Sequence, residues 1–157
     1  KKFWTAERKA KAKKLNLTQS DVAILASIVQ AEQTVHADER PKVAGLYINR
    51  LRIGMALQSD PTLVYGLGDF TIRRVLNKHK DVNSRYNTYK YKGLPPGPIN
   101  LPNIKSLDAV LNYESHNYIF MCAKEDFSGY HNFAKNYNQH LIYARKYQRE
   151  LNRRKIY

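Results

Sequence analysis

At 157 residues the chain has the length of one ordinary domain, large enough to bury a core without metal or disulfide staples. Its 27 Lys and Arg against 13 Asp and Glu give a formal charge of +14, so it carries a positive field and calls for an anionic partner: nucleic acid, an acidic membrane surface or a carboxylate-bearing polymer. The single cysteine, Cys122, excludes an internal disulfide and any zinc site of several thiolates, and no stretch has the apolar length to span a bilayer.

Phe3 to Leu15 is rich in Ala, Lys, Arg and Glu, which favour helix on a solvated face. A break over 16–20 follows. Asp21 then opens a second helix in which Val22, Leu25, Ala26, Ile28 and Val29 are mostly buried and which Glu32 continues. Beyond the polar stretch 33–38, Pro41 suits the first turn of a third helix with Val43, Leu46, Tyr47, Arg50 and Leu51 on one face, ended by Gly54. Leu57-Gln58-Ser59-Asp60-Pro61 reads as a turn into a short helix from Thr62 to Tyr65, capped by Asp60 or Ser59.

Thr71 to His79 reads as a further short helix. The stretch 81–103 is rich in Pro, Gly, Asn and Tyr without periodicity, which is unusual in a compact domain unless it lines a site. Ser106 caps a helix through Tyr113, Tyr118 to Ala123 is a buried strand, and Tyr130 to Phe133 is its hairpin partner across a turn at 126–129. A long basic helix from Lys135 to Lys155 ends the chain, with Leu141, Ala144, Tyr147 and Leu151 on one stripe. The expected fold class is α+β, mainly helical with a small antiparallel sheet, forming one domain over 1–157.

Most carboxylates have bland roles: Glu7, Asp81, Glu125, Asp126 and Glu150 lie in polar surroundings, and Asp21, Asp60 and Asp108 at helix starts. Glu32 differs, because it follows Leu25 by seven residues, Ile28 by four and Val29 by three, on the stripe of the apolar core. Burial there raises a carboxyl pKa, as an acid that delivers a proton near neutral pH requires. From position alone the commoner outcome is a Glu that frays outward and meets water or Arg50.

Five blocks alter that weighting: Leu25-Ala26-Ser27-Ile28-Val29-Gln30-Ala31-Glu32, Lys42 to Leu51 with Gly54-Met55, Leu57 to Thr62, Tyr86-Asn87-Thr88-Tyr89, and Gly93-Leu94-Pro95-Pro96-Gly97-Pro98-Ile99. In this order they resemble the signature blocks of the MltG/YceG-like lytic transglycosylases, over about 25–140. The resemblance implies a carbon-oxygen lyase that cleaves the MurNAc to GlcNAc bond within peptidoglycan strands and leaves 1,6-anhydro-MurNAc ends. It places the catalytic Glu on Glu32. It also implies an N-terminal transmembrane anchor, a LysM-like subdomain and work on the outer face of the bacterial cytoplasmic membrane near the cell-wall synthesis machinery. The chain itself opens Lys1-Lys2-Phe3-Trp4, without an initiator Met or a signal-peptide pattern, so it is expected to be the C-terminal part of a longer protein. One departure is Gln30, where the family often has a further acid.

Ordinary glycosidases use two carboxylates, whereas a lytic transglycosylase can use one, because its nucleophile is the substrate's own C6 hydroxyl. Glu32 is therefore expected to act as acid and then as base. Gln58, Asn87 and Tyr89 are candidates for holding sugar hydroxyls or the N-acetyl group, with Asp60 ranked below Gln58 because it suits a helix cap. Tyr86 and Pro95 offer rings for apolar sugar faces, although Pro-rich turns also serve only as stiffeners. Asn49 and Arg50 are expected to orient Glu32, or Arg50 to bind a substrate carboxylate, with a plain surface role as the alternative; the resemblance, through a His-x-Phe block near this position, implies that His131 borders the cleft. His131 and His140, nine apart without an adjacent carboxylate or thiolate, make a poor ligand set, so no metal and no cofactor are expected. Cys122 is read as an inert core residue. The rivals are a non-catalytic peptidoglycan-binding module and a basic nucleic-acid-binding domain. No zinc spacing, RNP-type block or glycine-rich phosphate loop supports the latter, so a nucleic acid partner is not expected.

Overall fold

The computed structural model describes residues 2–156. Its central element is α2 (Gln19–Glu32), which follows α1 (Ala6–Lys14). Thr18 starts α2 with a reciprocal cap: the Asp21 amide donates to Thr18 Oγ1 and the Thr18 amide to Asp21 Oδ2, both at 3.0 Å. Val22, Leu25, Ala26, Ile28 and Val29 are completely buried, so α2 is enclosed on most of its circumference. Packed on it are α3 (Arg40–Arg52), α4 (Asp60–Leu67) and α5 (Ile104–Leu111). Val43, Ala44, Leu46, Leu57 and Val110 complete the core.

The rest of the chain is an antiparallel hairpin of β1 (Phe120–Ala123) and β2 (His131–Ala134), with Phe120 opposite Ala134 and Ala123 opposite His131, covered by α6 (Tyr137–Arg153). The chain is thus α+β, mainly helical with one small antiparallel sheet. The segment before β1 is laced to α3, where Glu114 N donates to Pro41 O at 2.9 Å and Asn49 Nδ2 donates to His116 O at 2.8 Å and Tyr118 O at 3.0 Å. Gly45 permits this close approach, since a Cβ there would lie 2.2 Å from Glu114 O. Among the described residues no helix is long and apolar enough to cross a membrane.

Several elements differ from the sequence reading. Residues 71–79 form bends and then a 3-10 turn, Asn77–Asp81, rather than a helix. Asp69 takes the Thr71 amide and His79 Nδ1 the Leu76 amide, so side chains replace the helical ladder there. The cap of α5 is Asn103 rather than Ser106, whose hydroxyl donates to Gln30 Oε1 at 3.0 Å. Asp108 lies inside α5 and pairs with Arg8 at 2.9 Å instead of starting a helix. The strand β1 is half-buried, because one hairpin carries α6 on one side and a cleft on the other.

Gly45→Ala is expected to lower stability by about 1–3 kcal/mol, the usual cost of overpacking. A urea melt checks this, and an unchanged midpoint would mean that the Glu114 segment yields freely.

Candidate active site

The C-terminal end of α2 delivers Glu32 to the floor of a cleft of about 330 Å³. Tyr47 and Arg50 of α3, with Gln58 and Asp60 at the entry to α4, form one side. Lys80 comes from the 3-10 turn Asn77–Asp81, Tyr89 from the irregular stretch, and Cys122, His131 and His140 from the hairpin and α6. The long aperiodic segment therefore does line a cleft, through Tyr89.

Glu32 Oε2 accepts from the Tyr47 hydroxyl at 2.6 Å and from Ser59 Oγ at 3.0 Å. Its Oε1 has no partner among the described residues and is not sealed from solvent. Burial pushes the Glu32 carboxyl above its ordinary value and the Asp60 charge adds to this, against the opposing pull of Tyr47, His131 and Ser59. With both hydroxyls donating to Oε2, the retained proton belongs on Oε1. The Tyr47 phenol is itself pushed well up by burial and by Glu32, so it stays a donor.

Ser59 precedes α4 but makes no side-chain cap, because its hydroxyl serves Glu32. Its amide donates to Thr88 Oγ1 at 2.8 Å, and Gln58 N donates to Thr88 O at 3.1 Å. The Tyr86-Asn87-Thr88-Tyr89 block therefore braces the Gln58-Ser59-Asp60 turn. Gln58 has φ +52°, a left-handed conformation uncommon for a non-glycine residue, and its exposed side chain stands in the cleft. Asp60 accepts from the Tyr89 hydroxyl. Burial raises its pKa, against Tyr89 and Lys80.

Of the sequence candidates, Glu32, Arg50, Gln58, Asp60, Tyr89 and His131 meet in the cleft, while Asn49, Tyr86, Asn87 and Pro95 do not line it. Asn87 is fully buried, and its Nδ2 donates to Lys80 O at 2.9 Å and Val82 O at 2.8 Å. Tyr86 lies against Tyr65 at 4.8 Å between ring centroids, and Pro95 is buried. Neither Asn49 nor Arg50 hydrogen-bonds to Glu32, whose partners are Tyr47 and Ser59. Asn49 ties down the segment before β1, and Arg50 donates to Ile119 O, Ala56 O and Leu57 O. Gln30 binds Asn103 N and Ser106 Oγ, away from the cleft. Cys122 is half-buried in the cleft wall rather than in the core, with its thiol pushed up to about 11 by burial.

Three contributors escaped the sequence reading. Tyr47 was legible only as part of an apolar face, yet a phenol on such a face calls for a polar partner. Ser59 was visible as a cap. Glu39 was given no role: buried, it takes His131 Nδ1 at 2.6 Å, the His131 amide at 3.0 Å and Gln33 Nε2 at 2.7 Å. Burial raises Glu39, but these donors outweigh it and hold the carboxyl below its usual range. His131 Nε2 has no partner among the described residues and is not sealed from solvent, in a ring that lines the cleft. No group of three or more His, Cys, Asp or Glu among the described residues is arranged to hold a metal ion.

The model of the YceG-like family matches residues 1–146, and the chain belongs to that family. An endolytic murein transglycosylase of Bacillus subtilis (strain 168) is 37% identical over 139 residues, which cover 88% of this chain and 38% of that protein. An endolytic murein transglycosylase of Streptococcus pneumoniae serotype 2 (strain D39 / NCTC 7466) is 29% identical over 115 residues, covering 71% of this chain and 21% of that protein. The crystal structure of a YceG-like protein from Listeria monocytogenes is similar at a TM-score of 0.76 and 31% identity, covering 87% of this chain and 43% of that one. The chain thus spans well under half the length of the curated relatives it matches.

A carboxyl raised in the folded state confers stability in full below its unfolded pKa, and loses it as pH rises through the folded value. Glu32→Gln keeps an acceptor for Tyr47 and Ser59 without that ionisation. Its melting temperature is expected to match the wild type near about pH 4 and to exceed it increasingly toward about pH 8. A constant gap across this range would show that Glu32 ionises as an ordinary surface acid.

Proposed function

We propose that this chain is the catalytic domain of an endolytic peptidoglycan lytic transglycosylase that cleaves the β-1,4 bond from MurNAc to GlcNAc and leaves a 1,6-anhydro-MurNAc end. The observation that carries this reading is the arrangement of Glu32: raised pKa, two hydroxyls on Oε2, and Oε1 without a protein partner in a cleft. The protonated Glu32 donates from Oε1 to the glycosidic oxygen as the bond from C1 breaks. The C6 hydroxyl attacks C1 from within the same sugar, and its proton passes to the Glu32 carboxylate. No water is consumed, and the enzyme returns to its starting protonation.

Tyr47 and Ser59 stabilise the carboxylate form in the middle of this cycle, while burial restores the proton at its end. Gln58 and Tyr89 take sugar hydroxyls or the N-acetyl group, with Asp60 aiming the Tyr89 phenol. His131, held by Glu39, presents Nε2 to the substrate. Asn49, Tyr86, Asn87 and Pro95 act on this reading as the frame of the cleft rather than as sugar contacts. Peptidoglycan lies outside the cytoplasmic membrane, and a membrane-anchored protein working beside the glycan synthesis machinery would meet both anionic lipid and peptide stems, which suits a charge of +14. Asp60 favours a second reading, because another carboxylate in the cleft meets the requirement of ordinary glycoside hydrolysis.

Mass spectrometry of digested sacculi separates these readings. Anhydro ends are expected from the wild type, with a loss of about 100-fold or more in Glu32→Gln, the usual scale for removing a general acid. Reducing ends would favour hydrolysis, and sacculus binding without products would mean a non-catalytic module. In Tyr47→Phe the loss of a donor that lowers the Glu32 pKa is expected to move the alkaline limb of the rate profile to higher pH. An unmoved limb would remove Tyr47 from the proton cycle.

A further inference from the structure

Arg50 is 5% exposed and carries a full positive charge, yet no carboxylate among the described residues pairs with it. Its Nε donates to Ile119 O at 2.7 Å, and its Nη1 to Leu57 O at 2.7 Å and Ala56 O at 3.2 Å. Nη2 donates to no group among the described residues and is not sealed from solvent, on a side chain that lines the cleft. The acids nearby are engaged elsewhere: Glu32 with Tyr47 and Ser59, Asp60 with Tyr89, Glu39 with His131 and Gln33. A buried cation without a counter-ion is costly unless something supplies negative charge.

Two neighbours point the same way. His140 lines the same cleft, and its Nδ1, enclosed by the protein, has no partner among the described residues. Its ring stacks on Phe120 at 5.0 Å between centroids, and the Arg50 guanidinium lies 5.5 Å from that same Phe120 ring. Lys80 brings a second cation to the cleft, its Nζ 4.8 Å from the Tyr89 ring. One Arg N–H face, one unpaired ring nitrogen and one Lys together suit a small planar anion.

We propose that Arg50, Lys80 and His140 form an anion subsite that takes a carboxylate of the peptide stem on the muramic residue being cleaved. This rests on the transglycosylase reading above. The anion must arrive on the molecule that offers its glycosidic bond to Glu32, and the stem is tethered to the muramic ring through its lactyl ether. The subsite makes the domain selective for strands that still carry stems and gives Arg50 the counter-ion that the fold withholds.

The test compares kcat/KM on uncross-linked strands bearing stems with the same strands stripped by an amidase, for the wild type, Arg50→Lys and Lys80→Gln. The wild type is expected to prefer stem-bearing strands by about tenfold or more, the scale of one charge-assisted hydrogen bond. Both variants are expected to bring that ratio toward one. Equal wild-type rates on the two substrates, or an unchanged ratio in Lys80→Gln, would overturn the subsite. Because Arg50 also clamps three carbonyls, Lys80→Gln decides should Arg50→Lys fail to fold. If the wild type cuts neither substrate, the transglycosylase reading fails. The subsite is then judged by NMR titration with free stem pentapeptide: saturable shifts at the His140 ring that Lys80→Gln weakens support it. Shifts that inorganic phosphate reproduces at equal concentration, or no shifts, overturn it.

Discussion

The hydrogen bond from the Tyr47 hydroxyl to Glu32 ties the two central helices together at the point where the core opens into the cleft. Two requirements meet there. A phenol that is 2% exposed needs an acceptor, and a carboxyl at the end of an apolar helix needs donors if its charged form is to exist at all. Each satisfies the other, and Ser59 adds the second donor from the turn before α4. Moving α2 against α3 by a fraction of a helical turn would strand both groups. The registry of the core and the protonation behaviour of the site are therefore one constraint.

That constraint explains why so many polar residues near the cleft face the backbone rather than open space. Ser59 reaches Glu32 only if the turn at 57–60 is held, and it is held from both sides. Arg50 fastens the carbonyls of Ala56 and Leu57, while Thr88 takes the Ser59 amide and lends its own carbonyl to the Gln58 amide. Asn87 in turn fixes Lys80 and Val82, so the loop bearing Thr88 and Tyr89 cannot drift. The left-handed backbone at Gln58 is sustained by this bracing.

The helical framework was legible in the sequence because α2, α3 and the inner stripe of α6 obey helical periodicity, and Thr18, Pro41 and Gly54 punctuate them by local rules. Residues 71–79 were misread because β-branched Thr71, Ile72 and Val75 disfavour the helix that was expected there, and Asp69 and His79 take the Thr71 and Leu76 amides instead. Ser106 and Asp108 were misplaced because their partners, Gln30 and Arg8, lie far along the chain. In the cleft, residue types were easier to read than residue roles. Asn87 looked like a sugar contact and proves to hold main-chain carbonyls, whereas Glu39 had no local signal because its meaning comes from His131, 92 residues away.

The partnerless atoms say more about the occupant than the paired ones do. An acid oxygen on Glu32, a ring nitrogen on His131 and a guanidinium edge on Arg50 are without partners among the described residues, are open to solvent, and belong to side chains that line one cleft. The buried Nδ1 of His140 lines the same cleft, while the other buried side-chain atom without a partner among the described residues, Asn100 Oδ1, lies elsewhere. A protonated acid, an imidazole nitrogen and a cation describe a ligand with an oxygen to protonate, hydroxyls to hold and a negative group to neutralise. Each demand comes from a side chain whose remaining atoms are fixed by the fold, so the cleft is built to receive these groups without rearranging, and binding can be spent on orientation at Glu32.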